Sequence, residues 1–512
     1  MDNPLVQLGA APTVRSGVRR VAEAAGAARQ PAPVPTIATT HHREPSRRIL
    51  LVSYHFPPDP AVGGVRWQKF SRFAAERGWG LDVLALHPAA IAVPDYGRLT
   101  DLPAGLEVYG IPPGRSRLLE GINVAWRALR PLRPGGTAGV PLSGAGSFPT
   151  SELRWFPRNR HDLTRAFHAL TRYVLESRWA EAAARTGFGL IRPGLHQVVI
   201  SSGPPHSAHL AARAIAERAG LPFVMDLRDP WRLVQRLPDD HASPLWMALA
   251  ARGEGRCVRA ADLVAVNTGP HGDALRALYP DLASRIITIF NGADDDDLPP
   301  RRPTRRFVVA YAGTVYLDRD PRPLFHAAAR LIKRHHLTPD DFGVEFMGDV
   351  AVLDGVPLPA MADAAGIGDF VALHRAGSQA AARAFLAGAA LLVVLPQDST
   401  FAIPAKLFEY LRHEAWVLAL AERHSAVEVL LRDTEADVVA PQDVEAITAI
   451  LERRYLQHHG GGRPLPIARD DLFSRRRQAE TLFEAIEDLV AGGKCRTGAA
   501  RPRASWRRRH GA

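Results

Sequence analysis

The feature that most constrains this chain is a repeated unit: an unbroken apolar run, a Gly/Pro-rich loop, a helical stretch and a second apolar run. It appears first at Ile49-Leu50-Leu51-Val52. Pro57, Pro58, Pro60, Gly63 and Gly64 follow, then Val65 to Arg77, then Leu81 to Leu86. A strand needs a continuous apolar run when both of its faces are covered, and helices cover both faces of a parallel sheet. Trp67, Phe70, Phe73 and Ala74 share one face of the helical stretch, and Gly78 is placed to end it. The unit returns at Gln197 to Ser201, Ala208 to Gly220 and Pro222 to Met225, and Leu263 to Val266 and Ile286 to Phe290 add strands. The pattern predicts an α/β fold with doubly wound sheets.

Length then requires a second domain. Single cores stop growing at about 250–300 residues, and this chain has 512. The break falls at Asn291 to Arg306 (NGADDDDLPPRRPTRR), whose aspartates, prolines and arginines make a poor core and a good linker. Beyond it Phe307 to Ala312, Val344 to Met347, Phe370 to Leu373, Leu391 to Leu395, Val417 to Leu420 and Ala436 to Val439 repeat the strand pattern, and Arg475 to Val490 forms an amphipathic helix. The expected organisation is a disordered basic head over 1–46 and Rossmann-like domains over 47–295 and 296–474. A helix over 475–491 packs back on the first domain, and a basic tail covers 492–512. Pro131 to Pro157 is expected to be a long surface loop. Ligands of such sheets bind outside the carboxyl ends of the strands, so two facing domains put that edge in a central cleft.

Charge and cysteines narrow the function classes. The net charge is +11, with Arg15, Arg19, Arg20 and Arg29 in the head and Arg501, Arg503 and Arg507 to Arg509 in the tail. Such ends suit either plain solvation or peripheral contact with an anionic membrane. No recognised nucleic-acid module accompanies them, so nucleic acid is not an expected partner. Cys257 and Cys495 stand in no metal-type spacing and suit a reducing cytosol. No stretch approaches the roughly 20 apolar residues of a membrane span, and Ala384 to Leu395 is better a helix end running into a buried strand. The start has no signal-type apolar segment. The expected location is the cytoplasm, with peripheral contact at the inner face of the membrane through the basic ends.

Five constellations lie at predicted strand ends. Ser53-Tyr54-His55-Phe56-Pro57-Pro58 with Gly63-Gly64 allows close approach of a ligand to the backbone, or is a plain turn. Ile200 to His209 (ISSGPPHSAH) puts His206 and His209 three residues apart, as structural or cleft-facing histidines. Met225-Asp226-Leu227-Arg228-Asp229-Pro230-Trp231 places charges at the end of a buried strand, where they need partners among themselves or on a ligand. Ala312-Gly313 with Arg319 offers a turn and a cation suited to a diphosphate. Pro404-Ala405-Lys406-Leu407-Phe408-Glu409-Tyr410 starts a helix with a lysine in its first turn, where the helix dipole disfavours a cation. Either an anion binds there, or Lys406 pairs with Glu409 one turn on.

In order and spacing these motifs, with Asn291-Gly292-Ala293-Asp294, resemble bacterial glycosyltransferase family 4 over roughly residues 48 to 490. That is a retaining family of the GT-B fold, two Rossmann-like domains facing a cleft. The resemblance implies a nucleoside-diphosphate-sugar donor on the second domain and an acceptor, a saccharide or a lipid-linked one, on the first. It implies donor contacts at Gly63, Gly64, Gly313, Arg319, Lys406 and Glu409, the last on the ribose hydroxyls. It puts Arg228 and Asp229 at the catalytic position and makes His206 and Trp231 acceptor-side candidates. Two departures stand out. Phe401 occupies the place of the family's earlier glutamate, and Arg228 replaces the histidine of a Leu-His-Asp run. An arginine cannot act as a base at ordinary pH.

The chemistry expected is that of a hexosyltransferase in cell-surface polysaccharide or glycolipid synthesis. Arg319, Lys406 and helix N-terminal amides meet the charge of the leaving diphosphate. No Asp-any-Asp motif sits at a strand end, so the expectation is no metal, and no cofactor besides the nucleotide sugar as co-substrate. The competing readings are a sugar-nucleotide epimerase on the same fold and a basic nucleic-acid-binding protein.

Overall fold

A computed structural model describes residues 36–39, 45–114, 160–235, 243–302, 304–315, 319–396, 399–468 and 471–492. Sixteen strands follow in chain order: β1 (Thr36–Thr39), β2 (Arg47–Ser53), β3 (Trp79–Leu86), β4 (Leu106–Ile111), β5 (His196–Gly203), β6 (Phe223–Leu227), β7 (Leu263–Val266), β8 (Ile286–Thr288), β9 (Phe307–Ala312), β10 (Phe342–Met347), β11 (Val352–Leu353), β12 (Val356–Pro357), β13 (Val371–His374), β14 (Leu391–Val394), β15 (Trp416–Leu420) and β16 (Asp437–Val439). The first sheet has the order β1-β4-β3-β2-β5-β6-β7-β8, and the second β13-β10-β9-β14-β15-β16. All pairings are parallel except that of the edge strand β1 on β4 and the small β11–β12 ladder. Strand order reverses between β2 and β5 in one sheet and between β9 and β14 in the other, which is where such sheets open a crevice for ligands.

The apolar run in β2 does what its composition requires. Ile49, Leu50, Leu51 and Val52 are all fully buried. Leu50 and Val52 point into the core beneath the Ser207–Ala219 and Pro244–Ala260 helices, and Ile49 and Leu51 into the core beneath the Val65–Glu76 helix. Each such side chain contributes about 1.5–3 kcal/mol by leaving water.

Part of the head expected to be disordered is a strand. β1 pairs antiparallel with β4, and its Ile37 packs against the first core. An edge strand of four residues needs one neighbour and one inward side chain, so it carries little hydrophobic period. The other head residues to 35, the tail from 493, and Pro131 to Pro157 lie outside the described residues. The Arg160–Leu190 helix was also not expected, because Ala169, Trp179, Ala180 and Ala183 form a thin apolar stripe in a long, charge-rich segment.

The chain crosses between the domains twice, side by side. Ala293 pairs with Ser474, and Arg475 donates to the carbonyls of Asn291 (3.2 Å) and Gly292 (3.0 Å) and ion-pairs with Asp294. Lys69 reaches Asp294 at 3.2 Å. Burial alone would raise the Asp294 carboxyl, but Arg475 and Lys69 outweigh it and hold it below the usual range. The acidic linker thus begins as a partly buried hinge. The Arg475–Val490 helix then lays Ala479, Leu482, Phe483 and Ile486 into the first domain's core, and its Glu487 accepts from Arg47 (2.9 Å), Arg77 (2.5 Å) and Trp79 Nε1 (3.1 Å).

Candidate active site

The second domain contributes a buried lysine amine that has no ion-pair partner among the described residues. Gly313 follows β9 at φ +137°, a backbone conformation that disfavours side chains, and a Cβ there would run into Lys406 Nζ. Lys406 stands in the first turn of the Ala405–Tyr410 helix, and its ammonium lies 3.8 Å over the Tyr311 ring. Its nitrogen is buried and has no hydrogen-bond partner among the described residues. Burial, and then the nearby Arg319, push its pKa down to about 6. Glu409 does not neutralise it: that carboxylate accepts from Arg383 Nε at 2.9 Å, and Arg383 also meets Asp296 at 3.1 Å. The intrahelical pair that offered a plain explanation for Lys406 is therefore not formed.

The loop beside it is held in place. Tyr410 Oη accepts from the Ala312 amide at 2.8 Å, Tyr311 Oη donates to the Thr314 carbonyl at 2.8 Å, and Arg319 Nη1 donates to the same carbonyl at 3.1 Å. Tyr316 to Asp318 of this motif lie outside the described residues. A cavity of 470 Å³ opens at the carboxyl ends of β14 and β15, lined among others by Asp320, Leu395, Ser399, Thr400 and Ser425. The first domain adds one wall residue, Gln235, which donates to Thr400 Oγ1 (2.8 Å) and accepts from the Thr400 amide (2.5 Å).

Phe401, where the family pattern has a glutamate, closes the domains on each other. Its carbonyl accepts from Thr268 Oγ1 at 2.8 Å, and its ring lies 6.0 Å from the ring of His271.

In the first domain Gly63 and Gly64 lie at the carboxyl end of β2, beside Arg228. Asp226 does not orient that arginine. Arg228 Nη1 donates to the Gly63 carbonyl (2.6 Å), Nη2 to Pro204 (3.1 Å) and Nε to Gly203 (3.3 Å). Its planar fork ties the glycine loop to the loop after β5. Asp226 belongs to a different arginine: Arg66 meets it through two donors at 3.1 Å each, and Trp67 Nε1 donates to it at 2.8 Å. Asp229 is exposed. Trp231, expected on the acceptor side, is instead a core residue, 5% exposed and packed over Gly253. His206 stacks on it at 4.9 Å. His209 shares a 2.7 Å hydrogen bond with Ser201. Burial lowers His206 well below the usual histidine range and His209 to about 3, so both are neutral.

These contacts make Arg228→Lys informative. Lysine keeps the charge and cannot reach three carbonyls in one plane. The expected result is a loss of about 1–2 kcal/mol in urea unfolding, from unmet carbonyls, and a clear fall in turnover as the glycine loop loosens. Unchanged turnover and stability would remove Arg228 from the site.

No protein-family model and no curated protein sequence matches the chain. Solved structures match in fold. Sucrose-phosphate synthase from Thermosynechococcus elongatus superposes with a TM-score of 0.54 at 12% identity, over 87% of this chain and all of that one. The fold is GT-B. TarM of S. aureus, solved with fondaparinux, α-GlcNAc-glycerol and UDP, gives 0.51 at 10% identity over 87% of this chain and 99% of its own. The α,α-trehalose 6-phosphate synthase of Burkholderia multivorans gives 0.50 at 12% identity, over 89% and 99%. Within this GT-B frame Gly63 and Gly64 follow β2 and Arg228 follows β6 in one domain, while Gly313 follows β9 and Lys406 follows β14 in the other. Among the described residues, no group of three or more His, Cys, Asp or Glu side chains is placed to hold a metal ion, and no helix is long and apolar enough to cross a membrane.

Proposed function

We propose that the chain is a glycosyltransferase that moves a hexose from a nucleoside diphosphate sugar, held on the second domain, to a saccharide or lipid-linked acceptor on the first. The observation that carries this reading is Lys406, whose buried amine has no partner among the described residues and stands beside Gly313 and Arg319. A diphosphate supplies the negative charge that favours the protonated lysine, and Lys406 and Arg319 then stabilise the leaving group as the glycosidic bond to phosphate breaks. With Lys406 and Arg319 meeting that charge, the proposed reaction uses no metal and no cofactor beyond the donor. Glu409, anchored by Arg383, takes the ribose hydroxyls. The family resemblance supports retention of configuration, with the acceptor hydroxyl approaching from the leaving-group face. It also supports a role in cell-surface polysaccharide or glycolipid synthesis, at the cytoplasmic face of the membrane, which the arginine-rich ends suit.

The test is ligand-induced stabilisation, with UDP and GDP as probes. A nucleotide at a hundred times its Kd is expected to add about 2.7 kcal/mol to stability. Release of nucleotide from the matching donor is expected to continue in EDTA. No stabilisation by either diphosphate would sink the reading. Loss of turnover in EDTA, restored by Mn²⁺ or Mg²⁺, would overturn its metal-independent part.

A further inference from the structure

The loop between β2 and Gly63 carries a His–Asp pair that the donor chemistry does not use. His55 Nδ1 lies 2.7 Å from Asp59 Oδ2. The other oxygen of Asp59 accepts from the Ala61 amide at 2.9 Å. The loop is held at both ends: Ser53 Oγ donates to the His55 carbonyl at 2.9 Å, and Arg98 Nη1 to the Asp59 carbonyl at 2.5 Å. The Asp59 side chain is 9% exposed and that of His55 is 29% exposed, so a nearly buried carboxylate orients a ring that remains open to solvent. With the carboxylate accepting from Nδ1, the ring proton stays there and Nε2 carries the free lone pair.

The Cδ2 edge of the ring lies against Gly63 in the loop after β2. His55 Cδ2, the carbon next to Nε2, lies 3.2 Å from where a Cβ on Gly63 would be, and Arg228 Nη2 lies 3.1 Å from the same point. Imidazole and guanidinium thus flank one spot that the glycine leaves clear. Of the two, the arginine can only donate, whereas Nε2 accepts from an O–H. The spot lies at the carboxyl end of β2, next to the strand-order reversal of the first domain.

We infer that His55 is the residue that receives the attacking hydroxyl of the acceptor, and that Asp59 is the positioning residue that fixes its tautomer and aim. The hydroxyl donates to Nε2, which leaves an oxygen lone pair directed at the anomeric carbon. The acceptor therefore reacts there through a hydroxyl. The inference rests on the second domain holding the donor.

The experiment uses the full chain and donor hydrolysis, in which water takes the place of the hydroxyl. Nucleotide release and UDP or GDP affinity are measured for the wild type, His55→Ala, His55→Gln and Asp59→Asn. His55→Ala is expected to lower kcat at least about tenfold, within the range of a positioned proton-accepting group, with nucleotide affinity and thermal midpoint kept. Asp59→Asn is expected to lower kcat less. His55→Gln, which retains an accepting oxygen, is expected to recover part of the loss. Unchanged kcat in His55→Ala overturns the inference, and so does a joint fall of kcat, affinity and thermal midpoint in all three variants. A wild-type chain that binds neither UDP nor GDP fails as a glycosyltransferase and takes the inference with it. A wild type that binds and turns over, beside an equally active His55→Ala, sinks the inference alone.

Discussion

Lys406→Met is expected to raise the thermal midpoint of the free protein and to abolish its stabilisation by UDP or GDP. Burial, and then Arg319, push the lysine's pKa down to about 6, from an ordinary value of 10.5. At pH 7 the folded chain therefore holds Lys406 mostly neutral, while the unfolded chain protonates it. Unfolding takes up a proton, so this residue opposes folding. The penalty is fully present below pH 6 and fades as pH rises towards 10.5. At pH 7 it is of order 5 kcal/mol. Methionine has similar length, keeps the contact over Tyr311 and carries no charge. Relief of that penalty corresponds to a rise of roughly 5 °C. The wild type regains the same free energy when a diphosphate arrives, because the anion restores the ammonium. Binding near neutral pH should accordingly take up close to one proton, visible as a dependence of the calorimetric enthalpy on the buffer. A Lys406→Met protein that is less stable and still stabilised by UDP or GDP would show the lysine to be structural.

The position of Lys406 is legible in the sequence because a cation in the first turn of a helix is misplaced unless something answers it. The same holds for the sheets: a run such as Ile49 to Val52 has no use outside a strand covered on both faces. What is not legible is who pairs with whom. Glu409 finds Arg383, which is 26 positions away, and Asp226 finds Arg66, which is 160 positions away. Asp226 and Arg228 look like partners because they are close in the chain. However, β6 ends at Leu227 and the two side chains part, one to Arg66 and the other to the glycine loop. The edge strand at Thr36–Thr39 is too short to show a period. The contact of Phe401 with Thr268 needs both domains in place, and nothing in either segment announces it.

Removing Asp226 is expected to be the most damaging single change at this end of the first domain. Asp226 is fully buried and Arg66 is 4% exposed. Burial lowers the hold of Arg66 on its proton, and the Asp226 carboxylate is the largest opposing influence. Arg66 also donates to the carbonyls of Ile289 (3.1 Å) and Phe290 (2.8 Å), just before the first crossing between the domains. One guanidinium therefore joins the end of β6, the chain approaching the hinge, and the helix that starts directly after Gly64. Asp226→Ala leaves that cation buried without its counter-charge, and a loss of about 3–5 kcal/mol is expected. Against a total stability of about 5–15 kcal/mol, much of the protein would unfold at modest urea. Asp226→Asn keeps one accepting oxygen for these donors and should lose less. The Arg66→Leu, Asp226→Leu double variant should lose less than the sum of its single changes, because no unpaired charge remains. The Ile289 and Phe290 carbonyls would still be unmet, so recovery should be partial. Urea unfolding of the wild type, Arg66→Leu, Asp226→Leu and the double variant measures the coupling directly. Additive losses, or a loss under about 1 kcal/mol in Asp226→Ala, would mean that the pair does not hold the hinge and the glycine loop together.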